Sequence, residues 1–139
     1  MLKVKKLNRY AFIPTQGHPG EDLGYDLYAL SDTTLEAGKV TKVDTGIAVE
    51  MLNHGFEIRD RSSMAMKGLI SVAGIVDLGY RDSVKVCLLN TNSEPYYVKR
   101  GDKIAQLLPR KIQESLTICQ VDELSPSNRG LHAFGSTGR

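Results

Sequence analysis

The sequence predicts an all-β fold, a sandwich or barrel, and two observations support this prediction. Short segments of strand-like composition recur at regular spacing along the chain, with turn signals between them. Apolar and polar residues alternate with a period of two in residues 2–7 and 55–60, so that Phe56 and Ile58 fall on one face. A third observation limits the helical content. Only residues 60–68 break the alternation, and the glycine that ends them predicts one or two helical turns.

The remaining elements follow in chain order after a turn-rich region at residues 14–24. Further strands are predicted at residues 33–35, 39–51, 69–72, 83–89, 96–98, 103–108 and 115–121. With 139 residues the chain forms one domain, and we assign residues 1–124 to its β-barrel. Residues 125–139 are rich in serine, glycine and arginine and lack alternation, which predicts a flexible C-terminal arm.

The composition restricts the classes of partner. Eighteen basic and 16 acidic residues give a net charge of +2, without the basic excess that is typical of a nucleic-acid-binding protein. Neither a hydrophobic leader nor a run of membrane-spanning length is present, so we expect a cytoplasmic protein with no membrane partner. Cys87 and Cys119 stand alone in apolar runs, and we expect both to be small buried side chains of a reducing compartment.

The most informative stretch is Gly74-Ile75-Val76-Asp77-Leu78-Gly79-Tyr80-Arg81. Its glycines place Asp77 at a tight bend just before an alternating strand. Because aliphatic side chains flank Asp77, we expect its carboxylate to be partly removed from water, as a general base acting on water requires. The alternative is a turn aspartate that bonds its own backbone, and this stretch alone favours that alternative.

Two further stretches carry candidate anion-binding groups. Arg61-Ser62-Ser63 offers a guanidinium, hydroxyls and backbone N–H groups at the start of the helical turn, which equally fits an N-cap beside a surface arginine. Gln106 falls on the face opposite its two apolar neighbours, so its side chain is either solvated or directed into a cleft.

The C-terminal stretch from Arg129 to Gly138 combines arginine, glycines and hydroxyls, whose backbone N–H groups could surround phosphates. Phe134 is a lone aromatic residue in this polar tail, and a planar ring there would suit stacking on a base. A disordered tail without a function is the competing interpretation.

Taken in order, these stretches resemble the five motifs of the homotrimeric dUTPase family across nearly the whole chain. Each motif is a weak signal by itself, whereas five in order at the usual spacing are specific. The matching stretches are Gly24-Tyr25-Asp26-Leu27, Arg61-Ser62-Ser63-Met64-Ala65, Gly74 to Arg81, Gly101-Asp102-Lys103-Ile104-Ala105-Gln106-Leu107, and Arg129 to Gly138.

The resemblance implies a distorted β-barrel or jelly-roll subunit that assembles into a homotrimer. In such a trimer each active site uses motifs from different subunits, and the C-terminal arm closes the site. The implied reaction is Mg²⁺-dependent hydrolysis of dUTP to dUMP and diphosphate, with water attacking the α-phosphorus. The metal is held by the triphosphate and water, so the resemblance implies no side-chain ligand cluster.

The resemblance also implies a role for each matching residue. Asp77 is the base that activates water, and Tyr80 packs on the deoxyribose. Backbone groups from Ser71 to Val76, including Gly74 and Ile75, read the uracil edge. Phosphates are held by Arg61, Ser62 and Ser63, with Lys85 and Gln106 in support. Arg129, Gly135 and Ser136 hold the distal phosphates while Phe134 stacks over uracil. Asp26 and Asp102 act more remotely, through waters or structure.

Some positions depart from the family pattern. Ser71 stands where related bacterial proteins often have asparagine, Gly79 and Asp82 replace a common acidic residue and a common glycine, and His132-Ala133 replaces two glycines of the arm. Among other classes, dCTP deaminase shares the fold, but its glutamate after the third motif aligns with Cys87. A catalytically silent binding trimer would not need Asp77, and a single-strand nucleic-acid module would interleave aromatic with basic residues.

Overall fold

The structure, a computed structural model, describes residues 1–113 and 116–130, and within them almost all regular structure is β. No helix in this described part has the length and hydropathy to cross a bilayer. In chain order the strands are β1 (Leu2–Lys6), β2 (Tyr25–Tyr28), β3 (Thr33–Leu35), β4 (Val40–Asp44), β5 (Ile47–Met51), β6 (His54–Arg59), β7 (Leu69–Val72), β8 (Ile75–Val76), β9 (Lys85–Asn90), β10 (Tyr96–Val98) and β11 (Lys103–Lys111). The single helix among these residues, α1, is Ser62–Ala65.

The strands pair in an antiparallel manner into four sheets that together form a distorted jelly-roll. One sheet has the order β2-β11-β6-β8 and a second has the order β4-β9-β7, while β1 pairs with β5 and β10 with β3. Non-consecutive strands are therefore neighbours throughout, and the predicted all-β architecture is confirmed. The long strand β11 is central, because it pairs with β2 on one side and β6 on the other.

The core lies between these sheets and is aliphatic. Phe56 and Ile58 are both buried on β6, as their alternation predicts. The largest fully buried apolar side chains are Leu27, Leu35, Ile47, Leu69, Leu88, Ile104 and Leu107. Among the buried polar residues is Asn90, whose amide donates to the carbonyls of Leu35 and Glu94, each at 2.9 Å. Its hydrogen-bonding capacity is thereby used within the core.

The predicted helical turn is confirmed at α1. Met64 is its buried residue, and the chain leaves the turn through Gly68, whose φ of +74° belongs to the left-handed region that favours glycine. A Cβ at Gly68 would also lie 2.7 Å from Thr91 Oγ1, so both conformation and space require glycine there.

The fold contradicts two predictions, that of a strand at residues 115–121 and that of burial for both cysteines. In the described part of the predicted strand 115–121, residues 116–121 form no strand, and Leu116 and Ile118 are 90% and 99% exposed. An alternating segment forms a strand only where another strand accepts its hydrogen bonds, and here its apolar side chains are not packed on the core. Cys119 lies in this segment and is exposed, whereas Cys87 on β9 is half-buried; both are free thiols.

Candidate active site

Side chains from three of the matching stretches meet around one cavity of about 330 Å³, which we call the cationic cavity. It lies where β2, β11 and the start of α1 converge. Its lining residues are Gly17, His18, Asp22, Leu23, Gly24, Asp26, Arg61, Ser62, Lys103 and Gln106. The fold therefore brings Arg61, Ser62 and Gln106 together, although 45 residues of sequence separate the first and last of them.

Asp26 organises the charges of the cationic cavity. Its Oδ1 accepts from Arg61 Nε at 2.8 Å, and its Oδ2 lies 2.8 Å from Lys103 Nζ. The hydrogen bond and the negative charge of Asp26 raise the pKa of the Lys103 ammonium above its usual value. One carboxylate thus orients two cations toward the same space, and the three groups carry a net positive charge.

Arg61 is held at several points. Its Nη1 donates to Ser63 Oγ at 3.2 Å and to the Lys103 carbonyl at 3.5 Å. Lys103 itself reaches the cavity because the register of β11 against β2 shifts between Lys103 and Ala105. A local irregularity of this kind redirects a side chain that strict alternation would place elsewhere.

The loop before β2 forms one wall of the cationic cavity. Asp22 Oδ2 accepts from the backbone N–H of His18 at 2.8 Å, and this bond is the main reason that the pKa of Asp22 lies below its usual value. The His18 ring nitrogen Nδ1 lies 3.5 Å from Asp22 Oδ1. The loop is therefore closed on itself by its own carboxylate.

Gln106 contributes to the site through the backbone of the strand–helix junction. Its Nε2 donates to the Asp60 carbonyl at 2.8 Å, so this hydrogen bond joins β11 to the residue before Arg61. The side chain passes over Gly24, where a Cβ would lie 2.5 Å from Gln106 Oε1. A side chain at this position would therefore displace the Gln106 amide from the Asp60 carbonyl.

The chain from β7 into β8, two strands that lie in different sheets, borders a second cavity, of about 320 Å³. We call residues 69–76 the β7–β8 segment and this cavity the β7–β8 cavity. Its lining residues are Glu57, Ile58, Arg59, Asp60, Ser71, Ala73, Gly74 and Ile75. Ala73 has a φ of +55°, a left-handed conformation that costs an L-residue about 1 kcal/mol. Ile58 N–H donates to the Gly74 carbonyl at 2.6 Å, and a Cβ on Gly74 would collide with the Ile58 carbonyl oxygen.

Asp77 follows β8 in a tight turn, closed by a hydrogen bond of 3.1 Å from Tyr80 N–H to the Asp77 carbonyl. The expectation that its carboxylate is partly removed from water is wrong for the single chain, where Asp77 is exposed. The reason is that its neighbour Ile75 is 82% exposed and points away from the core. Asp77 borders a third cavity, of about 220 Å³, and does not line the cationic cavity.

The turn after Asp77 is braced on both sides. Arg81 Nη1 donates to the carbonyls of Leu78 and Tyr80 at 2.7 and 3.0 Å, and Arg81 Nε lies 3.7 Å from Glu50. The Tyr80 hydroxyl donates to the Ser83 carbonyl at 2.8 Å. The Tyr80 ring is 38% exposed, so one part of it faces solvent while its hydroxyl is anchored.

The other predicted site residues lie apart from these cavities or outside the described residues. Lys85 begins β9 and is exposed, and Arg129 is exposed in residues 116–130. Phe134, Gly135 and Ser136 lie outside the described residues. Two residues that the sequence reasoning left out are Lys103 and Asp60; Lys103 lies in the fourth matching stretch, but only the register shift in β11 explains its direction.

Comparisons with known proteins agree on one family. A family model described as dUTPase matches residues 9–138. The deoxyuridine 5'-triphosphate nucleotidohydrolase of Clostridioides difficile is 39% identical over 141 residues, covering 99% of this chain and 97% of that protein. The enzyme of the same name from Solibacter usitatus is 38% identical over 144 residues, covering 99% and 96%.

Solved structures show the same fold. The Staphylococcus bacteriophage 80alpha dUTPase with dUpNHpp superposes with a TM-score of 0.90 at 25% identity, covering 100% of this chain and 99% of that one. A mutant dUTPase from phage phi11 of S. aureus, in which a structural Mg(II) ion is coordinated, has a TM-score of 0.82 at 23% identity, covering 91% and 99%.

Proposed function

The chain belongs to the dUTPase family, and from this premise we propose that it hydrolyses dUTP to dUMP and diphosphate. The observation that carries the proposal is the convergence of Arg61 and Lys103, both oriented by Asp26, on one cavity. Phosphoanhydride hydrolysis depends on placed positive charge and a placed water molecule, and it needs little covalent chemistry from the protein.

The cationic cavity is the proposed phosphate site. The Arg61 guanidinium has a planar fork of donors that suits phosphate oxygens, and Lys103 adds a point charge. Ser62 and Ser63 follow directly and add hydroxyl donors. Lys85 is assigned a supporting phosphate contact from the resemblance alone, and Gln106 supports the site by holding the Asp60 carbonyl.

The β7–β8 cavity is the proposed base site. Its wall includes Ser71, Ala73, Gly74 and Ile75, and backbone groups of the stretch from Ser71 to Val76 would present fixed donors and acceptors to a uracil edge. Tyr80 would pack on the deoxyribose, since its ring is partly exposed and its hydroxyl is anchored to Ser83. A ribose 2′-hydroxyl would then meet the ring, which would select deoxynucleotides.

Asp77 is the proposed general base. It would accept a proton from water as the water oxygen bonds to the α-phosphorus, and the bond from that phosphorus to the bridging oxygen would break. The electron pair would leave with diphosphate. Because the Asp77 side chain is exposed and its turn is braced by Arg81, a water molecule can reach a carboxylate of fixed position.

Mg²⁺ is the proposed cofactor. It prefers oxygen ligands and water, which a triphosphate supplies, and when bound it would neutralise developing phosphate charge. Asp26 and Asp22 line the cationic cavity, and each carboxylate would accept from metal-bound water through the lone pairs that its contacts with Arg61, Lys103 and His18 leave.

We propose a homotrimer with shared active sites. Asp77 and Arg61 border different cavities of one chain, so a second copy could bring the two groups to one substrate. The exposed Leu116 and Ile118 in residues 116–121, together with the exposed Ile75, offer apolar surface for such a copy. Sedimentation with parallel activity measurements tests this, and a fully active monomer would contradict it.

The C-terminal arm is assigned to closure of the site. Arg129, Gly135 and Ser136 would hold the distal phosphates, and Phe134 would stack over the base. A segment that folds over bound substrate excludes bulk water and makes closure part of turnover.

The proposed function is tested by diphosphate release from the whole set of deoxynucleoside triphosphates, with UTP as the sugar control. We expect rapid release from dUTP and much slower release from dCTP, dTTP and UTP. Equal rates on all substrates, or no release from dUTP in the presence of Mg²⁺, would contradict the proposal.

A further inference from the structure

Asp60 occupies the junction between the two cavities. It lies between β6 and α1, directly before Arg61, and it is half-buried. Its Oδ1 accepts from the backbone N–H of Ser71 at 2.5 Å, and its carbonyl accepts from Gln106 Nε2 at 2.8 Å. Its side chain thus bonds to β7 and its backbone carbonyl to β11, two strands that are distant from each other in sequence.

The carboxylate of Asp60 extends the contact between β6 and the β7–β8 segment. Within the sheet, β6 pairs with β8 at Phe56–Val76 and Glu57–Ile75. The contact continues through the bond from Ile58 N–H to the Gly74 carbonyl. The bond from Ser71 N–H to Asp60 Oδ1 then reaches β7. The Asp60 carboxylate thus accepts the hydrogen bond that the backbone carbonyl of a neighbouring strand would otherwise accept.

The bond from Ser71 N–H to Asp60 is needed because the backbone between β7 and β8 has an unfavourable conformation. Ala73, in the left-handed region, lies between the Ile58–Gly74 bond and the Asp60–Ser71 bond. A strained residue keeps its conformation only when its surroundings fix it on both sides. On its other edge β7 pairs with β9, with Ser71 opposite Leu88, so the Ser71 N–H is directed to the edge that Asp60 covers.

We propose that Asp60 is a positioning residue that holds the base-binding β7–β8 segment against the phosphate-binding segment at Arg61. This inference rests on the proposed function, in which the β7–β8 segment binds uracil and Arg61 holds phosphate. Asp60 is covalently joined to Arg61 and hydrogen-bonded to Ser71, so the distance between base site and phosphate site is set through one residue. The geometry of the β7–β8 segment, and with it the discrimination between uracil and cytosine, depends on the Asp60 carboxylate as acceptor for the Ser71 N–H.

The substitution Asp60→Ala removes the acceptor, and Asp60→Asn restores a carbonyl oxygen at the same distance from the backbone. Asp60→Ser is the second disruptive variant if Asp60→Ala fails to fold, because its hydroxyl is too short to reach the Ser71 N–H. Asp32→Ala is the matched control, since Asp32 Oδ1 also accepts a backbone N–H, that of Arg100, at 2.8 Å in a different loop.

The first readout is amide exchange. We expect Asp60→Ala to speed hydrogen–deuterium exchange in residues 69–76 by about tenfold, and Asp60→Asn to leave it near the wild-type rate. Asp32→Ala should leave exchange in these residues unchanged. Unchanged exchange of residues 69–76 in Asp60→Ala would overturn the inference.

The second readout separates positioning from general stability. For Asp60→Ala we expect KM for dUTP to rise about tenfold, the ratio of kcat/KM for dUTP over dCTP to fall by a similar factor, and kcat to change less. Asp60→Asn should recover most of both losses. Equal losses in Asp60→Asn and Asp60→Ala, or an unchanged substrate ratio in Asp60→Ala, would overturn the inference.

The two readouts also separate this inference from the proposed function. If the wild-type chain does not hydrolyse dUTP, the proposed function fails. Amide exchange then still decides whether Asp60 stabilises the β7–β8 segment, because that measurement uses no substrate.

Discussion

Asp26 Oδ1 lies 2.8 Å from Arg61 Nε, and this ion pair joins β2 to the residue that precedes α1. The two side chains are only 16% and 28% exposed, so solvent screens the pair less than it screens a surface ion pair. The same carboxylate holds Lys103. The orientation of both cations in the cationic cavity thus depends on one acidic side chain.

Replacing Asp26 with asparagine should therefore impair phosphate binding. The amide keeps the shape but loses the charge that orients Arg61 and Lys103, so we expect kcat/KM for dUTP to fall by about ten- to a hundredfold. Steady-state kinetics test this, with Asp32→Asn as the control. Unaltered kcat/KM in Asp26→Asn would show that the ion pair has no part in orienting these cations.

A pH dependence is expected from the Lys3–Glu50 ion pair, which also supports Arg81. A hydrogen bond from Lys3 lowers the pKa of Glu50 below its usual 4.5. Because the folded-state pKa is the lower one, the pair stabilises the fold above pH 4.5 and this contribution is lost as the pH falls through the folded pKa. Glu50→Gln should therefore melt below the wild type at pH 7.

Thermal melts of wild type and Glu50→Gln between pH 3 and pH 8 measure this difference. The gap in Tm should close progressively below pH 4.5 as Glu50 becomes protonated. A gap that stays constant across the whole range would mean that the charge of Glu50 is not its cause.

Glycine is required at Gly74 and not at Gly79. A Cβ on Gly74 would collide with the Ile58 carbonyl, whereas one on Gly79 would have no atom within 4 Å. We expect Gly74→Ala to lower the free energy of unfolding by about 1–3 kcal/mol and to impair dUTP turnover, and Gly79→Ala to be nearly neutral. Urea denaturation of both variants checks this, and similar losses in the two would contradict the packing argument.

The positions of most strands along the chain could be predicted because alternation marks strands locally, as at Phe56 and Ile58. The contacts that build the site could not. The ion pair from Asp26 to Lys103 depends on a register shift in β11, and the bond from Asp60 to Ser71 depends on where β7 lies beside β6. Alternation in one segment carries no information on its neighbour's register.

The wrong predictions have a related cause. Alternation in residues 115–121 and the apolar neighbours of Asp77 predict burial, yet in the single chain residues 116–121 and Asp77 are exposed. A sequence pattern indicates that a surface is suited to burial and not which molecule covers it. The homotrimer, the cytoplasmic location and the roles of Phe134, Gly135 and Ser136 remain predictions.

Removal of residues 128–139 should separate folding from turnover. A polar tail with one aromatic residue adds little to the core, so we expect Tm to change by only a few degrees. Turnover of dUTP should fall steeply, because a lid acts on the closed complex. Phe134→Ala should lose part of this activity, about 1–3 kcal/mol in transition-state stabilisation if the ring stacks on the base.

Tm and dUTP turnover are measured side by side for the truncated and full chains. An unfolded truncation would make the arm structural, and full activity without it would remove the arm from the mechanism.

The central claim is that Asp77 activates the attacking water, and Asp77→Asn tests it most directly. The amide has nearly the same shape but cannot accept the proton, so only the chemical step should suffer. The measurement is single-turnover hydrolysis of dUTP together with the Kd of a non-hydrolysable dUTP analogue. We predict that hydrolysis falls by several powers of ten while the Kd stays within about threefold of wild type. Hydrolysis near the wild-type rate in Asp77→Asn would contradict the account.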